Sequence, residues 1–99
     1  ALIDIRGGIF DSAEADADHI ASSLREAFSD NKTIGVILRI NSPGGSPVQA
    51  SYLFNEITRL RKKYPKTHLY AVCSEICASA AYYIAAAAEK IYANPSSLV

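Results

Sequence analysis

The chain has 99 residues, with 10 basic and 10 acidic side chains, and 49% of its residues are hydrophobic. The charge balance argues against nucleic-acid binding, which depends largely on positive charge, and the hydrophobic content excludes intrinsic disorder. The longest apolar run, residues 76–88, is shorter than the roughly 20 residues of a membrane-spanning helix. The length predicts one domain, and we expect a piece of a longer protein because the sequence opens abruptly in a strand-like run.

The first half of the chain alternates between strand and helix patterns. Residues 2–5 predict a short strand, and apolar residues recur at helical spacing over residues 13–29. Residues 34–40 are almost continuously apolar, which is typical of a strand covered on both faces. A turn-rich loop, residues 41–47, leads into a second predicted helix over residues 47–63.

The second half continues the alternation. It predicts a strand over residues 68–73, a tight connection over 74–78, an Ala-rich helix over 79–88 and a short strand over 89–93. The order β-α-β-α-β-α-β predicts an α/β fold with a mainly parallel sheet and helices packed against it. Arg39 lies on the second strand, and we expect a carboxylate or carbonyl partner to anchor it there.

The two cysteines, Cys73 and Cys77, have a spacing that matches no common zinc or redox motif. We interpret them as two small buried thiols, and we predict no metal site.

Two strand ends carry unusual residues, and ligands of open α/β sheets bind beyond the carboxyl ends of strands. Gly44 and Gly45 follow the second strand and allow close backbone approach. Ser79 follows the third strand at a predicted helix start, flanked by small residues such as Ala80. Two interpretations stay open: a serine nucleophile with backbone N–H groups around an oxyanion, or a helix-capping serine and an ordinary turn.

Three motifs, LRINSPGGS at 38–46, CASAAYYIA at 77–85 and EKIYANPSS at 89–97, resemble the S49 serine peptidases, the signal peptide peptidase A family. The resemblance covers about residues 34–99. It implies a fold shared with Clp protease and the crotonases, and residues 1–99 would form one partial peptidase domain. No metal or organic cofactor is implied.

The resemblance also implies roles for individual residues. Ser79 matches the nucleophile, Gly45 with its neighbour Gly44 matches one oxyanion loop, and Ala80 matches the other oxyanion N–H. The family usually has two glycines after the serine, where this chain has Ala80 and Ala81. Alanine does not readily adopt a positive φ. If the active geometry requires a positive φ at Ala80 or Ala81, the oxyanion hole would therefore be impaired.

The implied function is a Ser–Lys dyad peptidase that degrades remnant signal peptides. The implied location is the bacterial inner membrane, reached through segments outside these residues, and the implied assembly is a homo-oligomer. From the predicted elements, every lysine lies at the edge of the sheet away from Ser79, as does His68. We interpret His19 as a surface or half-buried residue and not as a base. We therefore expect the lysine base to lie outside this chain and the isolated chain to be inactive. The lysines are Lys32, Lys62, Lys63, Lys66 and Lys90.

Two alternatives remain. A crotonase-like acyl-CoA enzyme would use the same pair of backbone N–H groups to hold a thioester enolate. A non-catalytic oligomeric scaffold would instead associate through Tyr52, Tyr82, Tyr83 and the Ala-rich helix.

Overall fold

A computed structural model of the chain describes residues 1–7, 14–42 and 44–93, with only the backbone of residues 14–16. Seven elements alternate along it, as the sequence predicts. In chain order they are β1 (Leu2–Arg6), α1 (Glu14–Ser29), β2 (Gly35–Ser42), α2 (Pro47–Lys63), β3 (His68–Cys77), α3 (Ala80–Ala85) and β4 (Lys90–Ala93).

The four strands form one parallel sheet in the order β1-β2-β3-β4. Each strand therefore pairs with the next one along the chain, and each connection carries a helix back across the sheet. Parallel pairing places all strand ends that precede a helix at one edge. The predicted α/β fold with a mainly parallel sheet is confirmed.

One face of the sheet forms the core. Side chains on this face alternate along β1, β2 and β3 with exposed or half-buried ones, and the helices supply the opposing side chains. The buried residues include Ile3, Ile5, Val36, Leu38, Ile40, Leu69 and Ala71 from the strands, and Leu24, Phe28, Leu53, Ile57, Leu60, Ala81 and Ile84 from the helices.

The other face of the sheet is open in the described part of the chain. Ile37 is 43% exposed and Leu2 is 55% exposed, although both lie in strands. The prediction that the second strand is covered on both faces is therefore wrong here. A continuous apolar run shows that a strand has two apolar faces, but it does not show which elements cover them.

Arg39 lies on this open face beside Asp4, its direct neighbour in the strand register. Its Nε donates to Asp4 Oδ1 at 2.6 Å and its Nη2 donates to Asp4 Oδ2 at 3.0 Å. The guanidinium group thereby lowers the pKa of the Asp4 carboxyl group. The expected carboxylate anchor for Arg39 is confirmed.

A carboxylate joins the two longest helices. Glu56 on α2 is 8% exposed and accepts hydrogen bonds from Arg25 Nε of α1 at 2.6 Å and from Arg59 Nε at 2.5 Å. Arg25 also donates to the Tyr52 hydroxyl at 2.9 Å. These hydrogen bonds to the charged form lower the pKa of Glu56.

The third strand is longer than predicted because it contains a bulge. Ile40 pairs with Cys73, and Ser42 pairs with Cys77, so four steps along β3 oppose two steps along β2. Two extra residues are accommodated in this way, and the strand continues to Cys77 instead of ending at Cys73.

The bulge also changes the state of the two cysteines. Four residues of regular strand would separate Cys73 and Cys77 by about 13 Å, but their Cα atoms lie 5.4 Å apart and their sulfur atoms are bonded. The interpretation as two separate thiols is wrong, because the bulge brings the cysteines together.

The Ala-rich helix is shorter than the predicted 79–88, since α3 spans only Ala80–Ala85. The next residues tighten into a turn, in which Ala88 N–H donates to Ala85 O at 3.0 Å. Glu89 N–H then donates to Leu69 O at 2.9 Å, which starts the pairing of β4 with β3. Within the described ranges, no helix has the length and apolar character needed to cross a bilayer.

Candidate active site

The loops that follow β2 and β3 meet at the carboxyl edge of the sheet. Ser42 and Cys77, the last residues of the two strands, are paired in register. The segment that contains Gly44 and Gly45 therefore leaves the sheet next to the segment that contains Ala78 and Ser79. The structure brings together all four residues that the sequence singles out, namely Gly44, Gly45, Ser79 and Ala80.

Gly44 is in direct contact with the segment that contains Ser79. A Cβ atom at Gly44 would lie 2.9 Å from Ser79 Cβ, 3.0 Å from Ala78 O and 3.1 Å from Ala80 N. The φ of Gly44 is also +105°, which L side chains rarely adopt. Both the close contact and the backbone conformation therefore require glycine.

Ser79 has a strained backbone and an exposed side chain. With φ at 55° and ψ at −123°, it is the one non-glycine residue of the described ranges that has a positive φ. Its side chain makes no capping hydrogen bond to α3, so the alternative of a helix-capping serine is wrong. Such strain costs about 1–3 kcal/mol and is common at functional sites. A sharp strand-to-helix turn also exposes the nucleophilic serine of the α/β-hydrolases.

Ala80 and Ala81 lie in the first turn of α3, and Ala81 N–H donates to Ala78 O at 3.1 Å. Neither alanine has a positive φ, because that conformation falls on Ser79 instead. The substitution of alanine for the family's glycines is therefore compatible with this backbone. Ala80 N–H has no carbonyl partner within the helix, because it belongs to the first turn.

Ser42 is a further residue of this site. It is fully buried, its Oγ accepts the Gly44 N–H at 3.1 Å, and its carbonyl oxygen accepts the Ala78 N–H at 3.2 Å. In the sequence, Ser42 stands out only as part of a turn-rich loop and of the motif at 38–46. The signal that could have identified it is a serine two residues before a glycine, which can form a side-chain turn.

A pocket of about 390 Å³ opens beside the Ser79 side chain. The Tyr83 ring forms one wall and stacks on Phe54, with ring centroids 4.6 Å apart. The pocket lies between the start of α2 and α3 and is lined by Gly45, Pro47, Ala50, Ser51, Ser79, Ala80 and Tyr83.

The lysines and His68 lie at the other edge of the sheet. His68 is the first residue of β3, and its Nδ1 lies 3.1 Å from Glu89 Oε2. The lysines occupy the ends of helices, the turns that lead into strands, or the first residue of a strand, as predicted. They are Lys32, Lys62, Lys63, Lys66 and Lys90. His19 is exposed on α1. Over the described ranges, no group of three or more His, Cys, Asp or Glu residues could hold a metal ion.

The model of the protein family described as Clp protease matches residues 5–99. The chain belongs to the Clp protease family.

Curated relatives of the chain include peptidases. Protease 4 of Haemophilus influenzae is 34% identical over 102 residues, which cover 99% of this chain and 16% of that protein. The chloroplastic serine protease SPPA of Arabidopsis thaliana is 32% identical over 82 residues, which cover 83% of this chain and 12% of that protein. These names confirm the resemblance to the signal peptide peptidase A family.

Another relative has a different name. The Na(+)/H(+) antiporter NhaA of Brucella melitensis is 38% identical over 79 residues, which cover 80% of this chain and 11% of that protein. This chain therefore spans less than a fifth of the full length of each of these three relatives.

A solved structure confirms the fold. The catalytic domain of the ClpP protease from Plasmodium falciparum superposes with a TM-score of 0.72 at 23% identity. The match covers 89% of this chain and 45% of that one.

Proposed function

We propose that this chain is the nucleophile-bearing part of a serine peptidase of the signal peptide peptidase A type. One observation carries the proposal: the Gly44 backbone packs against Ser79, which lies exposed in a strained turn between strand and helix. A serine hydroxyl in this position is accessible to a carbonyl carbon, and backbone amides lie beside it. The names of the peptidase relatives support the same function.

In this mechanism, Ser79 Oγ attacks the scissile carbonyl and the peptide oxygen becomes an oxyanion. The N–H groups of Gly45 and Ala80 donate to that oxyanion. Gly44 N–H already donates to Ser42 Oγ, so we assign Gly44 a packing role and leave the donor role to Gly45. Such donors stabilise the charge that develops in the transition state.

The general base is a lysine supplied by sequence beyond these 99 residues. Its Nζ must come within about 2.6–3.2 Å of Ser79 Oγ to accept the hydroxyl proton. The position of the described lysines at the opposite edge of the sheet supports this assignment. The isolated chain then has a nucleophile and oxyanion donors but cannot cleave peptides.

The substrate is a remnant signal peptide, degraded at the bacterial inner membrane. The pocket beside Ser79 supports an apolar peptide, because alanine, proline and tyrosine side chains line it. Signal peptides contain an apolar segment of about 7–15 residues, which provides side chains of this type. Segments outside these residues would attach the protein to the membrane, and the intact protein would be a homo-oligomer.

The test is the hydrolysis of a fluorogenic peptide amide by the full-length protein. Ser79→Ala should abolish turnover, because it removes the nucleophile. Ser29→Ala, an exposed serine at the end of α1, is the matched control and should retain activity. Turnover by Ser79→Ala at the wild-type rate would refute the proposal.

Two further measurements distinguish the alternatives, namely turnover of an acyl-CoA thioester and oligomeric assembly of Ser79→Ala. An acyl-CoA enzyme of the crotonase type would react with a thioester substrate and would not need the Ser79 hydroxyl as a nucleophile. If the protein is a scaffold, the substitution Ser79→Ala should leave both its assembly and its function unchanged. The exposed hydroxyl in a strained turn favours the peptidase, since neither alternative requires it.

A further inference from the structure

Ser42 is a buried polar residue at the end of a strand whose other inward-facing side chains are apolar. It is 0% exposed and follows Val36, Leu38 and Ile40 on the core face of β2. Burial of a hydroxyl group lowers the stability of the fold unless the hydroxyl makes hydrogen bonds. Its partners therefore indicate what it does.

Both oxygen atoms of Ser42 accept hydrogen bonds from the loops that form the site. The Oγ atom accepts from Gly44 N at 3.1 Å, and the carbonyl oxygen accepts from Ala78 N at 3.2 Å. Gly44 immediately precedes Gly45, and Ala78 immediately precedes Ser79. A single residue thus connects the glycine loop with the nucleophile segment.

The hydroxyl hydrogen bond is important because it fixes the first of two successive glycine amides in this loop. Two successive glycines have broad conformational freedom, so the orientation of the Gly44 and Gly45 amides is not determined by side chains. The Ser42 Oγ holds the Gly44 N–H, so the next amide, that of Gly45, is the one that we assign to the oxyanion. Without the hydroxyl, the buried Gly44 N–H would lose its partner and the peptide could rotate to find another.

We propose that Ser42 is a positioning residue that orients the oxyanion-binding amide of Gly45 relative to Ser79. This inference rests on the proposed peptidase function. It concerns the transition state, where the oxyanion exists, and not the binding of the uncharged substrate.

The experiment compares Ser42→Ala with the wild type in the full-length protein, with rates expressed per active site titrated by a fluorophosphonate. We expect kcat to fall about 10- to 100-fold, less than for the complete loss of an oxyanion donor, while KM changes less than about twofold. A peptide aldehyde provides the second measurement. Ser79 Oγ adds to its carbonyl carbon, the C=O π electrons become an oxyanion, and the hydroxyl proton passes to the general base. The affinity for this aldehyde should fall by the same factor as kcat/KM.

Two variants control for stability. Ser46→Ala removes another buried hydroxyl of the same loop, one that accepts the Gln49 N–H at the start of α2 at 3.3 Å. It should lower stability but leave kcat within about twofold of the wild type. Ser42→Thr retains the hydroxyl and should retain aldehyde affinity within about threefold. This variant keeps the inference testable if Ser42→Ala does not fold.

The outcomes separate this inference from the proposed function. If Ser42→Ala retains kcat and aldehyde affinity per active site, the positioning role is wrong although the peptidase function stands. If Ser42→Thr loses aldehyde affinity as completely as Ser42→Ala, the hydroxyl is not responsible. If Ser79→Ala retains activity, the proposed function itself fails.

Discussion

Replacement of Gly44 by alanine perturbs the contact between the two loops directly. The added Cβ would lie 2.9 Å from Ser79 Cβ, 3.0 Å from Ala78 O and 3.1 Å from Ala80 N. Two of these three atoms belong to the backbone and the third lies next to it, so no flexible side chain can move aside. The φ of +105° adds a conformational cost.

The magnitude follows from these two terms. An unfavourable backbone conformation costs about 1–3 kcal/mol, and overpacking a filled site costs about another 1–3 kcal/mol. A loop that kept its geometry would therefore be destabilised by about 2–6 kcal/mol. We expect the loop to move away from Ser79 instead, which removes the Gly45 donor and lowers kcat/KM by about 10²- to 10³-fold.

Two other glycines provide matched controls. Gly7 has a φ of +72°, and no atom of the described residues lies within 4 Å of an added Cβ, so Gly7→Ala introduces backbone strain without a clash against them. At Gly35, an added Cβ would lie 3.6 Å from His68 O, which is an ordinary contact. Urea denaturation and peptide hydrolysis are measured for Gly44→Ala, Gly7→Ala and Gly35→Ala. The comparison distinguishes the effect of backbone strain from the effect of the close contact with Ser79. If Gly44→Ala retains the activity of Gly35→Ala, the loops do not meet as described.

Two further predictions concern the packing that supports the site. Glu56→Gln should lower the free energy of unfolding by about 1–2 kcal/mol, because it removes the charge from two arginine hydrogen bonds. Since the pKa of Glu56 is lowered from 4.5, the wild type should lose this stability as the pH falls below 4.5, and the variant should not. Parallel acid titrations of urea midpoints check this, and equal pH dependence of both proteins would contradict it. Ala81→Leu, at a fully buried position of α3, should lower stability by about 1–3 kcal/mol through overpacking. The exposed Ala86→Leu serves as its control in thermal unfolding, and equal melting temperatures would show that α3 is not packed as described.

The order of the elements and the meeting of the two loops could be predicted from the sequence for a physical reason. Alternating strands and helices enforce a parallel sheet, and parallel strands place the ends that precede helices at one edge. Gly44 and Ser79 follow neighbouring strands, so their proximity follows from the topology. The roles of these residues came from the family resemblance, because a turn and a serine are common features by themselves.

The features that the sequence did not predict depend on long-range pairing. The bulge in β3 exists because Ser42 pairs with Cys77, and no local pattern around residues 73–77 indicates that register. The alanine run 85–88 favours a helix by intrinsic propensity, yet α3 ends at Ala85 because Glu89 pairs with Leu69. The positive φ of Ser79 likewise results from the fixed ends of β3 and α3.

The most direct test of the account is a crystal structure of the full-length protein after reaction with a peptide aldehyde. We predict a covalent bond from Ser79 Oγ to the former carbonyl carbon, with the adduct oxygen about 2.7–3.1 Å from both Gly45 N and Ala80 N. An adduct oxygen bound elsewhere, or an aldehyde attached to a different residue, would contradict it.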